Sequence, residues 1–209
     1  MDDEFDIARE EMYARLADEL YPEHKEQAVQ EFAVDRLRSY YLANPDVAKP
    51  AVFMLRNAEQ LFQLQQYEAA LVFAVSSVEL FLKATLLRPV IYGLIHSEAV
   101  AEVIVNETLR QSGLKRYHKL LGKLFNHLTE SPLEEIKRDG ESKTLLKEIE
   151  ALQEKRNKVV HQGFQANRTE ASQALNVAHA VVSQVLSEVL WSLGLEARKG
   201  EGICVAQNS

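Results

Sequence analysis

Apolar residues recur at helical spacing along almost the whole chain, and residues that interrupt helices are scarce. Only eight Gly and five Pro are spread over 209 residues. A sandwich or barrel needs a turn about every 8–12 residues, which so few breakers cannot supply. The expected fold class is therefore all-α, an up-and-down helical bundle. Residues 4–20 place Ile7, Tyr13, Leu16 and Leu20 at helical spacing, and residues 22–42 do the same with Val29, Phe32, Leu37, Tyr40 and Tyr41. Pro22 stands where a first helical turn tolerates proline. Asn44-Pro45 and Lys49-Pro50 break the pattern. They set a boundary between an acidic N-terminal helical extension (1–45) and a helical domain (46–195), which precedes a flexible tail (196–209). Within the domain, helices are expected at 50–65, at 67–88 with an end near Pro89, and at 97–111 and 116–128. Ser131-Pro132 reads as another helix start. Helices at 142–161 and 168–193 follow, stopped by Gly163 and Gly194. The tail has two glycines and little apolar content, so it is expected to fray.

Composition removes several function classes. Cys204 is the one cysteine, which excludes an internal disulfide framework and a cysteine-rich zinc module. The start, Met-Asp-Asp-Glu-Phe-Asp, is acidic where a signal peptide would be basic and then apolar. The longest uninterrupted apolar run, Ala69–Val75, falls far short of the roughly 18 residues a membrane span requires. A cytoplasmic protein without a membrane partner is the expectation. The net charge of −7 is unevenly placed: residues 1–31 hold eleven acidic and three basic side chains, and the rest of the chain is close to neutral. Global charge therefore does not argue against a polyanionic ligand. No zinc-protease, dinucleotide-binding or P-loop motif occurs, so no metal and no cofactor is expected.

Two helices carry misplaced polar groups. The first, 67–87, is apolar almost all round between Ala69 and Leu82, as central buried helices are. Ser76, Glu79 and Lys83 make one narrow polar stripe on it. Glu79 either pairs with Lys83 at i,i+4 or faces a buried cation on another helix. The second helix supplies such a cation. With Ile149 as origin and about 100° per residue, Leu145, Leu146, Leu152, Val159 and Val160 fall within about 80° on either side and define the core face. Arg156 falls near −20°, in the middle of that face. Asn157 and His161 lie near +80° and +120°, on one flank. A buried arginine cannot stay unpaired. It snorkels out, binds a carboxylate, or borders a cleft that accepts an anion.

The stretch Arg156-Asn157-Lys158-Val159-Val160-His161 closes a long helix in an all-helical chain, one further helix follows it, and Ser77-Val78-Glu79-Leu80-Phe81-Leu82-Lys83-Ala84 lies upstream. This arrangement resembles HEPN domains, whose motif is Arg, a polar residue that is often Asn, three more residues, then His. The resemblance spans residues 50–194. It implies a helical bundle, usually a homodimer, and in many members a metal-independent endoribonuclease acting as a toxin or antiviral-defence effector. Arg156 and His161 would then be catalytic, with Asn157 supporting them and Glu79 and Ser76 behind them. The implied partners are RNA, a second copy of the chain, and a protein antitoxin or regulatory partner. Gly163 departs from one toxin subgroup, which has Tyr two positions after the His as the target of a partner nucleotidyltransferase. Other members have lost catalysis and serve as nucleotide- or protein-binding dimerisation modules.

The residue types suit the implied chemistry. Cleaving RNA without a metal requires proton transfers from the 2′-hydroxyl and to the leaving 5′-oxygen, and positive charge on the pentavalent phosphate. Histidine performs either proton transfer near neutral pH, and arginine binds phosphate oxygens bidentately. Arg156 and His161 are about 140° apart on one helix, so two helices related by a two-fold would serve one phosphate better than one. Asn157 and His161 are i,i+4, so the amide could orient the imidazole. Residues 109–127 hold Arg110, Lys115, Arg116, Lys119 and Lys123 without an acidic residue, with Tyr117, His118 and His127 among them. With Lys158, the lysines and Arg116 form a candidate RNA-binding track, or else a solvated basic helix face. His118 and His127 lie about 180° apart on a helix and cannot share a metal from one face.

Overall fold

The computed structural model describes residues 31–32, 34–95, 97–109, 117–129 and 132–207. The expected helix at 4–20, positions 22–30 and 33 of that at 22–42, and the RNA-binding candidates Lys115 and Arg116 lie outside the described residues. The fold is mostly helical. Residues 34–43 form α1, followed by α2 (Lys49–Gln63) and α3 (Tyr67–Leu80). A π-helical stretch, Phe81–Leu87, carries α3 straight into α4 (Arg88–Leu94). Next come α5 (Glu98–Leu109), α6 (His118–Leu128) and a 3₁₀ turn at Leu133–Glu135. α7 (Leu145–Gln162) leads to α8 (Arg168–Ala180), which runs through a second π-helical stretch, Val181–Leu186, into α9 (Ser187–Ser192). A hairpin of β1 (Leu195–Arg198) and β2 (Gly202–Val205) ends the described chain.

α3 is the central helix, as its all-round apolar surface requires. Ala70, Leu71, Ala74, Val75, Ser77 and Val78 are buried where α3 meets α2, α7 and α8. α7 and α8 fold back on each other, tied by an ion pair from Lys155 to Glu170 at 3.0 Å. Asn167 starts α8 with a reciprocal cap: its side chain accepts from Glu170 N–H, and the Glu170 carboxylate accepts from Asn167 N–H. The runs Tyr67–Gly93 and Arg168–Ser192 are long and apolar enough to cross a bilayer, yet each buries more than half of its most apolar window inside the bundle, 61% and 56%.

Three expectations are corrected. The helix from Tyr67 does not end near Pro89; it continues to Leu94. Proline lacks the N–H that would bond the carbonyl four residues back, Thr85 C=O. The chain meets this by widening to π-helical turns before Pro89 and by supplying an outside donor: the Tyr41 hydroxyl donates to Thr85 C=O at 2.6 Å. Tyr41 is 1% exposed, and burial pushes its phenol well above the usual range. Residues 34–43, on the N-terminal side of the boundary at 45, thus share the core of the domain through Leu37 and Tyr41. Second, the helix expected after Pro132 is only the 3₁₀ turn. Third, the segment after Gly194 does not fray. Leu195 and Ile203 are buried, the strands pair antiparallel, and Ile203 N–H donates to Pro45 C=O at 2.9 Å. Gly202 has φ +81°, and a Cβ there would meet Pro45 O at 2.5 Å, so this close approach requires glycine.

Candidate functional site

α7 is amphipathic at its start and exposed at its end. Leu145, Leu146, Ile149 and Leu152 are buried, as the helical wheel requires. Gly163, in the left-handed region at φ +67°, stops the helix, and Phe164 N–H closes onto Lys158 C=O at 3.2 Å. Val160, assigned to the core face, is 52% exposed. It shares the solvent-facing end of α7 with Asn157, Lys158, His161 and Gln162, beyond the depth at which α7 has neighbours to bury it.

Arg156 lies one turn further in, with its side chain 22% exposed. Its Nη2 donates to Glu79 Oε1 on α3 at 2.5 Å. Gln153 Nε2 donates to the same oxygen at 2.7 Å. Of the two readings open for Glu79, the cation on another helix is therefore the one realised. The guanidinium is not saturated: its Nε is buried without a hydrogen-bond partner. Lys83 stands one turn on, in the π-helical stretch that continues α3, its ammonium 5.5 Å over the Tyr117 ring. Burial pushes its pKa down, the Arg156 charge adds to that, and Glu79 opposes it. Ser76 is half-buried on the same stripe and takes no part in the Glu79 hydrogen bonds.

The proposed catalytic groups are only partly assembled in one chain. Glu79, Gln153 and Arg156 converge. Asn157 and His161 are exposed, and no hydrogen bond joins them, so the amide does not fix the imidazole here. Lys119 and Lys123 are exposed on α6. His118 Nδ1 lies 3.0 Å from Glu150 Oε1, tying α6 to α7, and His179 Nε2 lies 3.0 Å from Glu59 Oε1. Among the described residues, no group of three or more His, Cys, Asp and Glu side chains could hold a metal ion.

Sequence reasoning missed two members of this region. Gln153 falls near +40° on the α7 wheel, inside the apolar stripe, which was signal enough to mark it as a buried polar group. Glu148 is 1% exposed and bound bidentately by Arg138, at 2.8 Å from Nε and 2.5 Å from Nη2. The Arg138 guanidinium holds the Glu148 carboxyl below the usual carboxylate range, and Gln173 on α8 adds a hydrogen bond. No family model, no curated protein and no solved structure matches the chain.

Proposed function

We propose that the protein is a metal-independent endoribonuclease of the HEPN type, working as a homodimer in toxin–antitoxin or antiviral defence. The observation that carries this reading is the state of α7. A partly exposed Arg156 is oriented by Glu79 and keeps donors to spare, and His161 stands in solvent five residues on. Five residues rise about 7.5 Å along a helix. With the angular offset of about 140°, one chain presents a phosphate grip and a proton carrier on different faces of the same helix end. A second copy related by a two-fold brings a matching pair to a shared cleft.

In that cleft a 2′-hydroxyl oxygen attacks phosphorus as its proton passes to one imidazole. The bond to the 5′-oxygen breaks as the other imidazole protonates it. Arg156 binds the non-bridging oxygens, whose charge grows in the pentavalent state. The products are a 2′,3′-cyclic phosphate and a 5′-hydroxyl. Lys119, Lys123 and Lys158 supply exposed positive charge for flanking phosphates.

A purified RNA-cleavage assay in EDTA tests this. Cleavage to 2′,3′-cyclic ends by the wild type, lost in a folded His161→Ala protein, is the expected result. Undiminished cleavage by the variant sinks the assignment. The Glu79–Arg156 pair also favours a second reading: if the guanidinium serves only to neutralise Glu79, the protein is a non-catalytic HEPN-like module that binds a nucleotide or a partner. Folded wild type without RNA cleavage would select that reading.

A further inference from the structure

One large concavity lies away from Arg156 and His161. It is a cleft of about 510 Å³ between the α1–α2 corner and the C-terminal hairpin. Four cationic side chains line it: Lys49 and Arg56 from α2, and Arg198 and Lys199 from the hairpin. One carboxylate, Asp46, also lines it, and it is held by Lys49 at 3.1 Å. Arg198 is bound to Glu196, with Glu201 at 3.6 Å. Arg56 and Lys199 are exposed and have no ion-pair partner among the described residues. The floor is apolar, with Val52 on one side and Ile203 on the other.

The wall is built rather than accidental. The Ile203 N–H bond to Pro45 and the close approach of Gly202 to the same residue pin the hairpin against the corner. Lys199 and Gly200 therefore face α2 at a fixed place. Two unpaired cations opposed across a cleft, with two more at its edge, repel one another until an anion enters. Arginine and lysine together bind phosphate oxygens through short, charge-assisted hydrogen bonds. A volume of this size is in the range of small-molecule sites, about 300–1,000 Å³. The apolar cavity beside Tyr41 and Phe125, by contrast, is about 20 Å³.

We infer that this cleft binds the linked phosphates of a di- or triphosphate, either inorganic or carried on an organic body that rests on the apolar floor. Calorimetric titration of the full chain with inorganic triphosphate and, separately, with ATP tests the inference. Saturable binding of either is expected, weakened at least about tenfold by Arg56→Ala combined with Lys199→Ala. Tighter binding of ATP assigns the floor to the organic body; equal binding assigns the site to the phosphates alone. Both residues are exposed, so the double variant should melt like the wild type, and a single Lys199→Glu variant gives an independent loss of binding. Absence of binding by the wild type, or binding untouched by the double variant, would overturn the proposal.

Discussion

α7 takes part in two arginine–carboxylate pairs, eight residues apart, that differ in almost everything except their closest distance. At its start, Glu148 is sealed, bidentate to Arg138 and also bonded to Gln173. Arg138 spends a further contact on Glu141 at 3.2 Å. At the other end, Glu79 and Arg156 are about one-fifth exposed, joined through one guanidinium nitrogen, and share the acceptor oxygen with Gln153. The first pair has satisfied its charges completely and clamps the loop 136–144 onto the bundle. The second leaves the Arg156 Nε without a partner, and the pair as a whole is partly open to solvent. A saturated pair can only hold structure, whereas an unsaturated one at a surface can still bind a phosphate.

The comparison breaks most visibly at the sealed end. Arg138→Ala strands Glu148 in the interior, and the expected loss is about 3–5 kcal/mol of folding stability, measured by urea denaturation. Replacing both partners with apolar residues, Arg138→Met with Glu148→Leu, should recover most of it, because the unpaired charge rather than the lost pair is the dominant cost. A loss in Arg138→Ala under about 1 kcal/mol, the scale of a surface pair, would show that water reaches Glu148 and erase the contrast.

The next effect is its dependence on pH. Since Arg138 holds the Glu148 carboxyl low, the folded protein takes up that proton less readily than the unfolded chain. The stability this confers is complete above the unfolded value, about 4.3, and is lost as pH falls from there through the lower folded value. Stability measured between pH 6 and pH 3 should therefore decline more steeply in the wild type than in Arg138→Ala. Parallel curves would contradict the assigned cause.

The two pairs were not equally legible in the sequence. Arg156 in the centre of an apolar stripe, and Glu79 on the only polar stripe of a buried helix, make a cross-helix pair one of the two readings that the sequence offers for Glu79. Glu148 gave less warning. It sits near −100° on the α7 wheel, just past the edge of the core face. Its partner comes from an irregular loop whose conformation no periodicity encodes. The continuation through Pro89 had a similar cause, since the Tyr41 donor arrives from a helix 44 residues earlier. The hairpin is hard to read from sequence because Gly200 and Gly202 resemble the glycines of a frayed tail, although their spacing between Leu195 and Ile203 fits a tight turn with buried anchors. With the hairpin goes the cationic cleft it walls. The end of α7 was overextended in the opposite sense: a wheel assigns Val160 to the core without knowing where the neighbouring helices stop.

At the open end the stability effect is smaller. Arg156→Ala leaves Glu79 bonded to Gln153 and within reach of water, so the expected loss is about 1–2 kcal/mol. RNA cleavage should nevertheless vanish, because the phosphate loses its bidentate donor. Thermal melts beside the cleavage assay separate the two roles. A loss as large as that of Arg138→Ala would make the pair structural. A stable and fully active variant would remove Arg156 from both roles.

The finest discrimination comes from Glu79→Gln, which alters charge and almost nothing else. The amide oxygen can still accept from Arg156 and Gln153, so the geometry of α3 against α7 should persist and stability should shift by about 1 kcal/mol or less. What changes is the field at the guanidinium. Glu79 offsets the positive charge of Arg156 in the free protein, and a phosphate must compete with it for the same nitrogen. With the carboxylate gone, the Arg156 charge is no longer offset by Glu79, and RNA affinity should rise several-fold, most clearly at low salt where the field reaches furthest. Turnover need not follow, because a guanidinium freed from its anchor also gains rotamers and loses the orientation that favours the transition state. Tighter RNA binding with equal or slower cleavage is thus the pattern expected of a positioning carboxylate behind a phosphate-binding arginine. Unchanged affinity, measured by fluorescence anisotropy across a salt series, would mean that no phosphate approaches Arg156, and the open pair would then be as purely structural as the sealed one.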